Sequence, residues 1–204
     1  MKILSKVTLV SFIVLVFLHQ SHGQAANNPK VKIETSLGDI VLELDQQKAP
    51  ITVSNFLRYV NGAFYDGTIF HRVVKDFVIQ AGGYTADGKE KRTGAPIRNE
   101  SYNGLKNIPG SVAMARTADP HSAQTQFYIN TSFNVSLDGK PNKFGYAVFG
   151  KVISGMDVVR AIENVAVSPD LYLGQHRPQD DVLIKRMRVQ KPINKMLKSM
   201  IKSK

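Results

Sequence analysis

Short segments in which apolar and polar residues alternate constrain the fold of this chain more than any other feature of its sequence. Two such segments, residues 31–35 and 40–44, flank the turn Leu37-Gly38-Asp39. Successive side chains of a β-strand point to opposite faces, so alternation gives each strand one apolar face and one polar face. The two segments therefore predict a β-hairpin.

Six further segments, rich in β-branched and aromatic residues, predict additional strands. They are residues 68–74, 77–81, 111–115, 126–130, 146–152 and 181–189. Many short strands separated by glycine-rich turns indicate either a β-sandwich or a closed barrel.

Two helices are predicted among these strands. The first begins at Pro50, where the missing N–H costs nothing, and ends at Asn61-Gly62. The second covers residues 155–165, in which apolar residues recur at spacings of three. The polar stretches predict surface loops, at residues 82–107, 134–143 and 171–180.

The absence of cysteine excludes disulfides, thiolate zinc sites and a cysteine nucleophile. The histidines at positions 71, 121 and 176 do not show the HExxH spacing or a similar metal-binding pattern. We therefore predict neither a metal nor another cofactor.

The first 23 residues have the parts of a secretory signal peptide. Lys2 and Lys6 give a positive n-region, residues 7–18 form an apolar stretch, and small residues follow from Ser21. The alternative is a retained membrane anchor, for which a stretch of twelve residues is short. Residues 1–23 are therefore predicted to be a signal peptide, and the mature protein is expected to be periplasmic or secreted.

Much of the formal net charge of +11 lies near the C-terminus, where residues 191–204 carry five lysines and no acidic residue. In the same tail, one helical face collects Ile193, Met196, Leu197, Met200 and Ile201. A basic amphipathic tail predicts weak contact with an anionic membrane surface, and the alternative is a frayed, solvated tail. Because the charge is concentrated there and no nucleic-acid motif is present, nucleic-acid binding is not expected.

Arg72 lies in the string Phe70-His71-Arg72-Val73-Val74. Strict alternation would put Phe70, Arg72 and Val74 on one face of a strand. Taken alone, the arginine indicates a structural salt bridge more than a ligand site, because isolated charges on strands usually pair or reach water. His71 is expected to pack or form hydrogen bonds in the interior.

Gln126 and Tyr128 share one face of another predicted strand, which follows the string Ser111 to Arg116 across a polar loop. A glutamine beside a tyrosine on a strand is explained equally well by a half-exposed sheet edge and by a ligand contact. The residues alone leave both explanations open.

Taken together, the strings FHRVV, FVIQAGG and MAR…QFYIN, with FGYAVFGKV further on, resemble the cyclophilin family of peptidyl-prolyl cis–trans isomerases. The resemblance runs from about Lys32 to Val189, and the sequence is most similar to the bacterial periplasmic branch, which shares MARTAD and FGYAVFGKV. It implies a mainly β fold, a closed eight-stranded antiparallel β-barrel capped by two α-helices. It also implies an isomerase domain, placed at residues 24–190, that acts on X–Pro bonds. With the predicted signal peptide, its substrates are expected to be exported proteins, and nothing in the sequence demands more than a monomer.

The resemblance places the family's catalytic arginine at Arg72. It places the substrate contacts at Phe77, Val78, Gln80, Ala115, Arg116, Gln126, Tyr128, Leu137 and Tyr146.

Some positions depart from the best-known eukaryotic members. Val78 stands for a methionine, Tyr128 for a phenylalanine and Tyr146 for a histidine at the rim. Arg116 stands for an asparagine whose contact runs through the backbone. Ser136 stands for a tryptophan that helps to hold cyclosporin, so weak binding of that drug is expected.

The alternative function is a binding module or chaperone that uses the same groove without turnover, since a fold can keep its shape and lose its chemistry. Arg72, Phe77 and Gln126 favour the enzyme. Ser136 and Tyr146 leave the rate and the substrate range open.

Overall fold

An antiparallel β-sheet predominates in the computed structural model of the protein, which describes residues 28–191. The strands, in chain order, are β1 Lys30–Thr35, β2 Gly38–Leu44, β3 Thr68–Ile69, β4 Arg72–Val74, β5 Val78–Ala81, β6 Ser111–Met114, β7 Phe127–Asn130, β8 Val148–Ser154, β9 Val167–Asp170, β10 Gly174–Pro178 and β11 Leu183–Gln190. The helices are α1 Pro50–Asn61 and α2 Met156–Glu163, and Val135–Leu137 form a 3₁₀ turn. The predicted signal peptide, and the predicted tail apart from Lys191, lie outside the described residues.

Nine strands form one strongly curled sheet in the order β3-β11-β1-β2-β8-β6-β7-β5-β4, and β9 pairs with β10 in a separate ribbon. Every ladder in both sheets is antiparallel. The prediction of a mainly β, barrel-like fold with two helices is confirmed. The ribbon, by contrast, falls largely within a stretch predicted to be a loop. Arg177 supports it by donating to Asp170 and Asp181 at 2.8 and 3.1 Å.

The count of nine strands differs from the expected eight because the predicted strand 68–74 is divided in two. Its first part, β3, pairs with β11, and its second part, β4, pairs with β5. Between them, the Phe70 N–H donates to the Val182 carbonyl at 2.9 Å, outside either ladder. The two edge strands of the sheet are therefore consecutive in the chain, which brings the two edges together.

The interruption also corrects the predicted sharing of faces. Phe70 and Val73 both belong to the main apolar core, whereas Arg72 is partly exposed. Phe70 and Arg72 would share a face only in an unbroken strand.

Paired residues form rows across the sheet, and the side chains of successive rows point alternately into the core and toward the outer face. One row runs Val73–Ile79–Ile129–Val112 across β4, β5, β7 and β6, and all four side chains belong to the main core. Within that core, the Phe56 ring of α1 lies 5.0 Å from the Phe149 ring, measured between centroids. Neither helix within residues 28–191 is long and apolar enough to cross a membrane.

The N-terminus of α1 is capped from a distant loop. Its own N-cap residue, Ala49, has no side chain able to accept a hydrogen bond. Instead, the Glu100 carboxylate accepts from the Ile51 N–H at 3.1 Å, the Thr52 N–H at 2.8 Å and the Thr52 hydroxyl at 2.7 Å. A carboxylate at this position also interacts favourably with the helix dipole.

Replacing Glu100 by alanine should lower the free energy of unfolding by about 1–2 kcal/mol, because two amide donors at the helix terminus lose their acceptor. Thermal denaturation measures the loss. Glu100→Gln retains one acceptor oxygen and should lose less. Asp180→Ala removes an exposed carboxylate elsewhere and serves as the control. Equal melting temperatures for Glu100→Ala and Asp180→Ala would contradict this role of Glu100.

Candidate active site

A pocket of about 350 Å³ opens on the outer face of the curled sheet. It is lined by Arg72, Phe77, Val78, Gln80, Ala115, Arg116, Tyr128, Leu137 and Tyr146. These are nine of the ten residues that the resemblance assigns to the site. The tenth, Gln126, lies beside the pocket and contacts it through a hydrogen bond to Gln80.

Strand register explains why residues distant in sequence meet here. A second row of the sheet runs Arg72–Gln80–Tyr128–Ala113–Val148, from β4 across to β8. Residues directly opposite each other on neighbouring antiparallel strands lie on the same face. Because this row is one residue out of phase with the core row, its side chains face outward.

Arg72 is held at the edge of the pocket by a chain of amides. Its Nη1 lies 3.4 Å from the Gln80 Oε1, and the Gln80 Nε2 donates to the Gln126 Oε1 at 2.9 Å. The guanidinium carbon also lies 5.8 Å from the centre of the Phe77 ring. The long contact to Gln80 leaves the guanidinium free to donate elsewhere, since hydrogen bonds near 3.5 Å are weak.

The structural salt bridge expected for Arg72 from the strand pattern alone is wrong. No carboxylate within residues 28–191 pairs with Arg72, whereas Arg160, Arg177 and Arg188 all do form ion pairs there. Burial lowers the pKa of Arg72, and the nearby Tyr146 opposes this shift. A guanidinium nevertheless remains charged at working pH. Arg72 is thus a partly desolvated cation with donors available to a ligand.

Tyr128 forms the floor of the pocket, and the half-exposed edge considered for it is wrong. Only 3% of the residue is exposed, and its ring lies 5.9 Å from that of Tyr146. Its hydroxyl donates to the Asn107 Oδ1 at 2.8 Å. Burial, followed by the proximity of Tyr146, raises the pKa of Tyr128 well above its usual value, so the phenol remains a neutral donor.

Behind Tyr128, a buried network of amides ties the pocket floor to the chain that follows β7. Asn107 receives hydrogen bonds from Tyr128 and Asn130, and its own Nδ2 donates to the Asp138 Oδ1 at 3.0 Å. Burial alone would raise the pKa of Asp138, but hydrogen bonds from Asn107 hold it below its ordinary value. No motif or periodicity singles out Asn107, which lies in a predicted polar loop.

Ala115 and Arg116 also line the pocket. The Ala115 N–H donates to the Gln126 carbonyl at 2.9 Å. The half-buried Arg116 side chain packs against neighbouring parts of the chain: its Nε donates to the Gly145 carbonyl at 3.1 Å, and its guanidinium lies 4.4 Å from the centre of the Tyr146 ring. Arg116 therefore positions the rim of the pocket as well as contributing to its wall.

A second cavity, of about 370 Å³, lies between β2, β8 and the loop that contains Leu105 to Gly110. None of the ten candidate residues lines it. Its lysines are neutralised locally, since Lys151 lies 3.3 Å from Glu43 and Lys106 lies 3.5 Å from Asp138. The part of the chain described by the structure contains no group of three metal-ligating acidic or histidine side chains.

His71 is 4% exposed and packs edge-on against the Tyr84 ring, with centroids 4.8 Å apart. Its Nδ1 has no hydrogen-bond partner among residues 28–191. Burial, with a smaller contribution from the charge of Arg72, lowers the pKa of His71 from 6.5 to about 4. His71 is thus a neutral interior residue behind the strand that carries Arg72.

A neutral His71 makes folding stability depend on pH. The unfolded chain binds a proton at this residue below about pH 6.5, whereas the folded protein does so only near pH 4. The unfolded state therefore binds more protons between these values, and about 3 kcal/mol of stability should be lost as the pH falls from 6.5 to 4. An NMR titration of the His71 ring should show no protonation at pH 5.5. A midpoint near 6.5 would refute the burial argument, and His71→Phe should lose less stability over the same range.

Comparison with known proteins places this geometry in a family. Residues 30–189 match the family described as cyclophilin type peptidyl-prolyl cis-trans isomerase/CLD. The chain is 50% identical over 141 residues to peptidyl-prolyl cis-trans isomerase A of Dickeya dadantii, covering 69% of this chain and 74% of that protein. It is 46% identical over 164 residues to peptidyl-prolyl cis-trans isomerase B of Escherichia coli, covering 78% and 98%.

Solved structures agree with the sequence matches. A cyclophilin type peptidyl-prolyl cis-trans isomerase of Cryptosporidium parvum superposes with a TM-score of 0.66 at 29% identity, over 81% of this chain and 99% of that one. A second structure of that protein, in the presence of the dipeptide Ala-Pro, gives a TM-score of 0.65 at 30% identity, over 80% and 99%. With a family match over most of its length and close bacterial relatives, this chain belongs to the cyclophilin-type peptidyl-prolyl cis–trans isomerases.

Proposed function

We propose that this isomerase acts on X–Pro bonds of exported proteins outside the cytoplasm and so assists their folding, with Arg72 as its catalytic residue. The observation that carries the role of Arg72 is a partly buried guanidinium, without a carboxylate partner in residues 28–191, at the edge of a pocket whose floor is the buried ring of Tyr128. The substrates are proline-containing polypeptides. The protein works as a monomer without a cofactor.

Rotation about an X–Pro bond is slow because the C–N bond has partial double-bond character. The barrier is about 18–20 kcal/mol, and exchange takes tens to hundreds of seconds. No bond is broken, so the catalyst has only to bind the twisted state better than either planar isomer. In the twisted state the proline nitrogen becomes pyramidal and gains a lone pair that can accept a hydrogen bond.

Arg72 supplies the donor for that state. Its guanidinium donates to the pyramidal nitrogen, or to the proline carbonyl next to it, from a position beside the Gln80 amide and the Phe77 ring. In a partly desolvated pocket a charged hydrogen bond is stronger than in water. Because the nitrogen lone pair is available only when the amide is twisted, this contact favours the transition state.

The other walls of the pocket hold the two sides of the substrate. Val78 and Tyr128 are almost fully buried, at 2% and 3% exposure, and with Phe77 and Leu137 they clamp the proline ring. The backbone at Ala115 and Arg116, with Gln126, holds the residue before the proline. Fixing one side of the bond while the other rotates lowers the entropic cost of reaching the twisted geometry.

Replacing Arg72 by alanine should reduce kcat/KM on a short X–Pro peptide by about 10²–10³-fold, as removal of one transition-state donor does in other enzymes. Exchange NMR or a protease-coupled assay measures it. Arg72→Lys keeps the charge but loses the planar guanidinium fork, so its kcat/KM should lie between those of the parent and of Arg72→Ala.

Arg186→Ala is the matched control, because this arginine is exposed on β11, outside the pocket. It should keep the parent rate. Full activity of Arg72→Ala would exclude the proposed role. If the folded parent does not accelerate exchange at all, the pocket is a binding site without turnover, and the alternative of a chaperone or binding module applies.

The proposal that the substrates are exported proteins rests on the sequence of residues 1–23. A short apolar stretch after two lysines, followed by small residues, is typical of a cleaved signal peptide. The similarity to the bacterial periplasmic branch agrees with a periplasmic or secreted protein. The basic tail, residues 191–204, adds a weak contact with anionic membrane surfaces.

Expression of the full chain in a Gram-negative host should yield a protein outside the cytoplasm whose N-terminus follows Gly23 or Ala25. N-terminal sequencing of the periplasmic fraction and the medium measures this. An uncleaved chain in the cytoplasm would contradict export.

Deleting residues 191–204 should weaken sedimentation with anionic vesicles, and unchanged sedimentation would contradict the membrane contact of the tail.

A further inference from the structure

Two large apolar side chains are exposed beside the active-site pocket. Phe133 is 73% exposed and Val135 is 65% exposed, on the segment that follows β7. Among the large apolar residues described, only Leu171 and Tyr172 are more exposed. Single exposed apolar residues need no explanation, but an apolar patch continuous with a binding pocket indicates an interaction surface.

The segment is attached directly to the pocket wall. The Phe77 carbonyl accepts from the Thr131 N–H at 3.0 Å and from the Asn134 Nδ2 at 2.8 Å. Leu137, at the end of the same segment, lines the pocket. Phe133 and Val135 therefore lie on a stretch of chain that is hydrogen-bonded to Phe77 and ends at Leu137, and both of these residues line the pocket.

The buried amide network holds this stretch in place. The Asn134 Nδ2 also donates to the Asn130 Oδ1 at 2.7 Å, and the Asn134 N–H donates to the Asn107 carbonyl at 2.8 Å. Asp138 closes the segment by accepting from Asn107. A surface that is already ordered loses little conformational entropy when a ligand binds, which makes it suited to binding.

The path of the substrate follows from the ends of β7. Gln126 directly precedes β7 and its carbonyl accepts from the Ala115 N–H; in the proposed function these two residues hold the residue before the proline. Thr131 lies at its other end, about 17 Å from Gln126 at the spacing of an extended strand. A polypeptide that runs along the direction of β7 with its proline over Tyr128 leaves the pocket toward the segment that carries Phe133 and Val135.

We propose that Phe133 and Val135 extend the site and bind an apolar side chain two or three residues after the proline. An extended chain advances about 3.3–3.6 Å per residue, so that side chain lies roughly 7–11 Å beyond the proline. The occupant is an unfolded polypeptide, which exposes the leucine, isoleucine and phenylalanine side chains that a folded one buries. The inference rests on the proposed function and adds a sequence preference to it.

Three capped peptides test the preference: one that ends directly after the proline, and two longer ones with leucine or serine at the second position after it. The parent protein should show a kcat/KM about fivefold to tenfold higher on the leucine peptide than on the serine peptide, since partial burial of one leucine supplies a factor of this size. The difference should appear mainly in KM, because the contact is equal in the ground state and the twisted state.

The double variant Phe133→Ser with Val135→Ser should bring the two longer peptides to within twofold of each other. Its kcat/KM on the short peptide should equal that of the parent. The double variant Leu171→Ser with Tyr172→Ser removes exposed apolar surface from the β9–β10 ribbon and is the matched control, which should keep the preference.

Three outcomes overturn the inference. A parent that processes the short peptide but does not distinguish leucine from serine has no such extension, although the proposed function stands. If the double variant Leu171→Ser with Tyr172→Ser also lost the preference for the leucine peptide, that preference would come from nonspecific adhesion of the peptide to apolar surface. A parent without activity on the short peptide would overturn both the proposed function and the extension.

Discussion

Backbone hydrogen bonds from one seven-residue segment, residues 68–74, are divided between the two edges of the sheet. The first part pairs with β11 and the second with β5, so the sheet must curl until its two edges lie near each other. Because the strand is broken at Phe70 and His71, the side chains of Phe70 and Val73 can both lie in the core although they are three positions apart. The same break directs Arg72 to the outer face, where the pocket forms.

The polar groups behind the pocket form hydrogen bonds with one another. This requirement restricts which residues can form the floor of the pocket. An unpaired buried amide or hydroxyl costs free energy, so the Tyr128 hydroxyl has to find an acceptor in the interior. Asn107 provides it and connects to Asn130 and Asp138. The pocket floor, the segment after β7 and the loop before β6 are thereby fixed as one unit, and both the proline pocket and its proposed extension depend on it.

Within residues 28–191, Arg72 is a half-buried cation that remains available to a ligand. Arg160, Arg177 and Arg188 each lie within 2.7–2.8 Å of a carboxylate oxygen, and Arg116 is occupied by backbone carbonyls and the Tyr146 ring. Arg72 instead makes a long contact to a neutral amide. This arrangement suits the proposed role of Arg72, since a carboxylate partner would compete with the substrate for the guanidinium.

The amino-acid sequence by itself indicated the two helices and the strands of the main sheet, apart from the break in residues 68–74, and through the family resemblance it named the pocket residues. Period-two alternation, turn residues and local strings are encoded within a few neighbouring positions, and the strings that include Arg72, Gln126 and Tyr128 point to a family whose site they form. The tertiary structure alone decided which neighbours satisfy each polar group. Glu100 caps a helix about fifty positions away, Asn107 supports Tyr128, and Arg72 lacks the ion pair that its strand pattern favoured. These outcomes depend on strand register and on contacts between distant segments, and local periodicity does not specify which segments will meet.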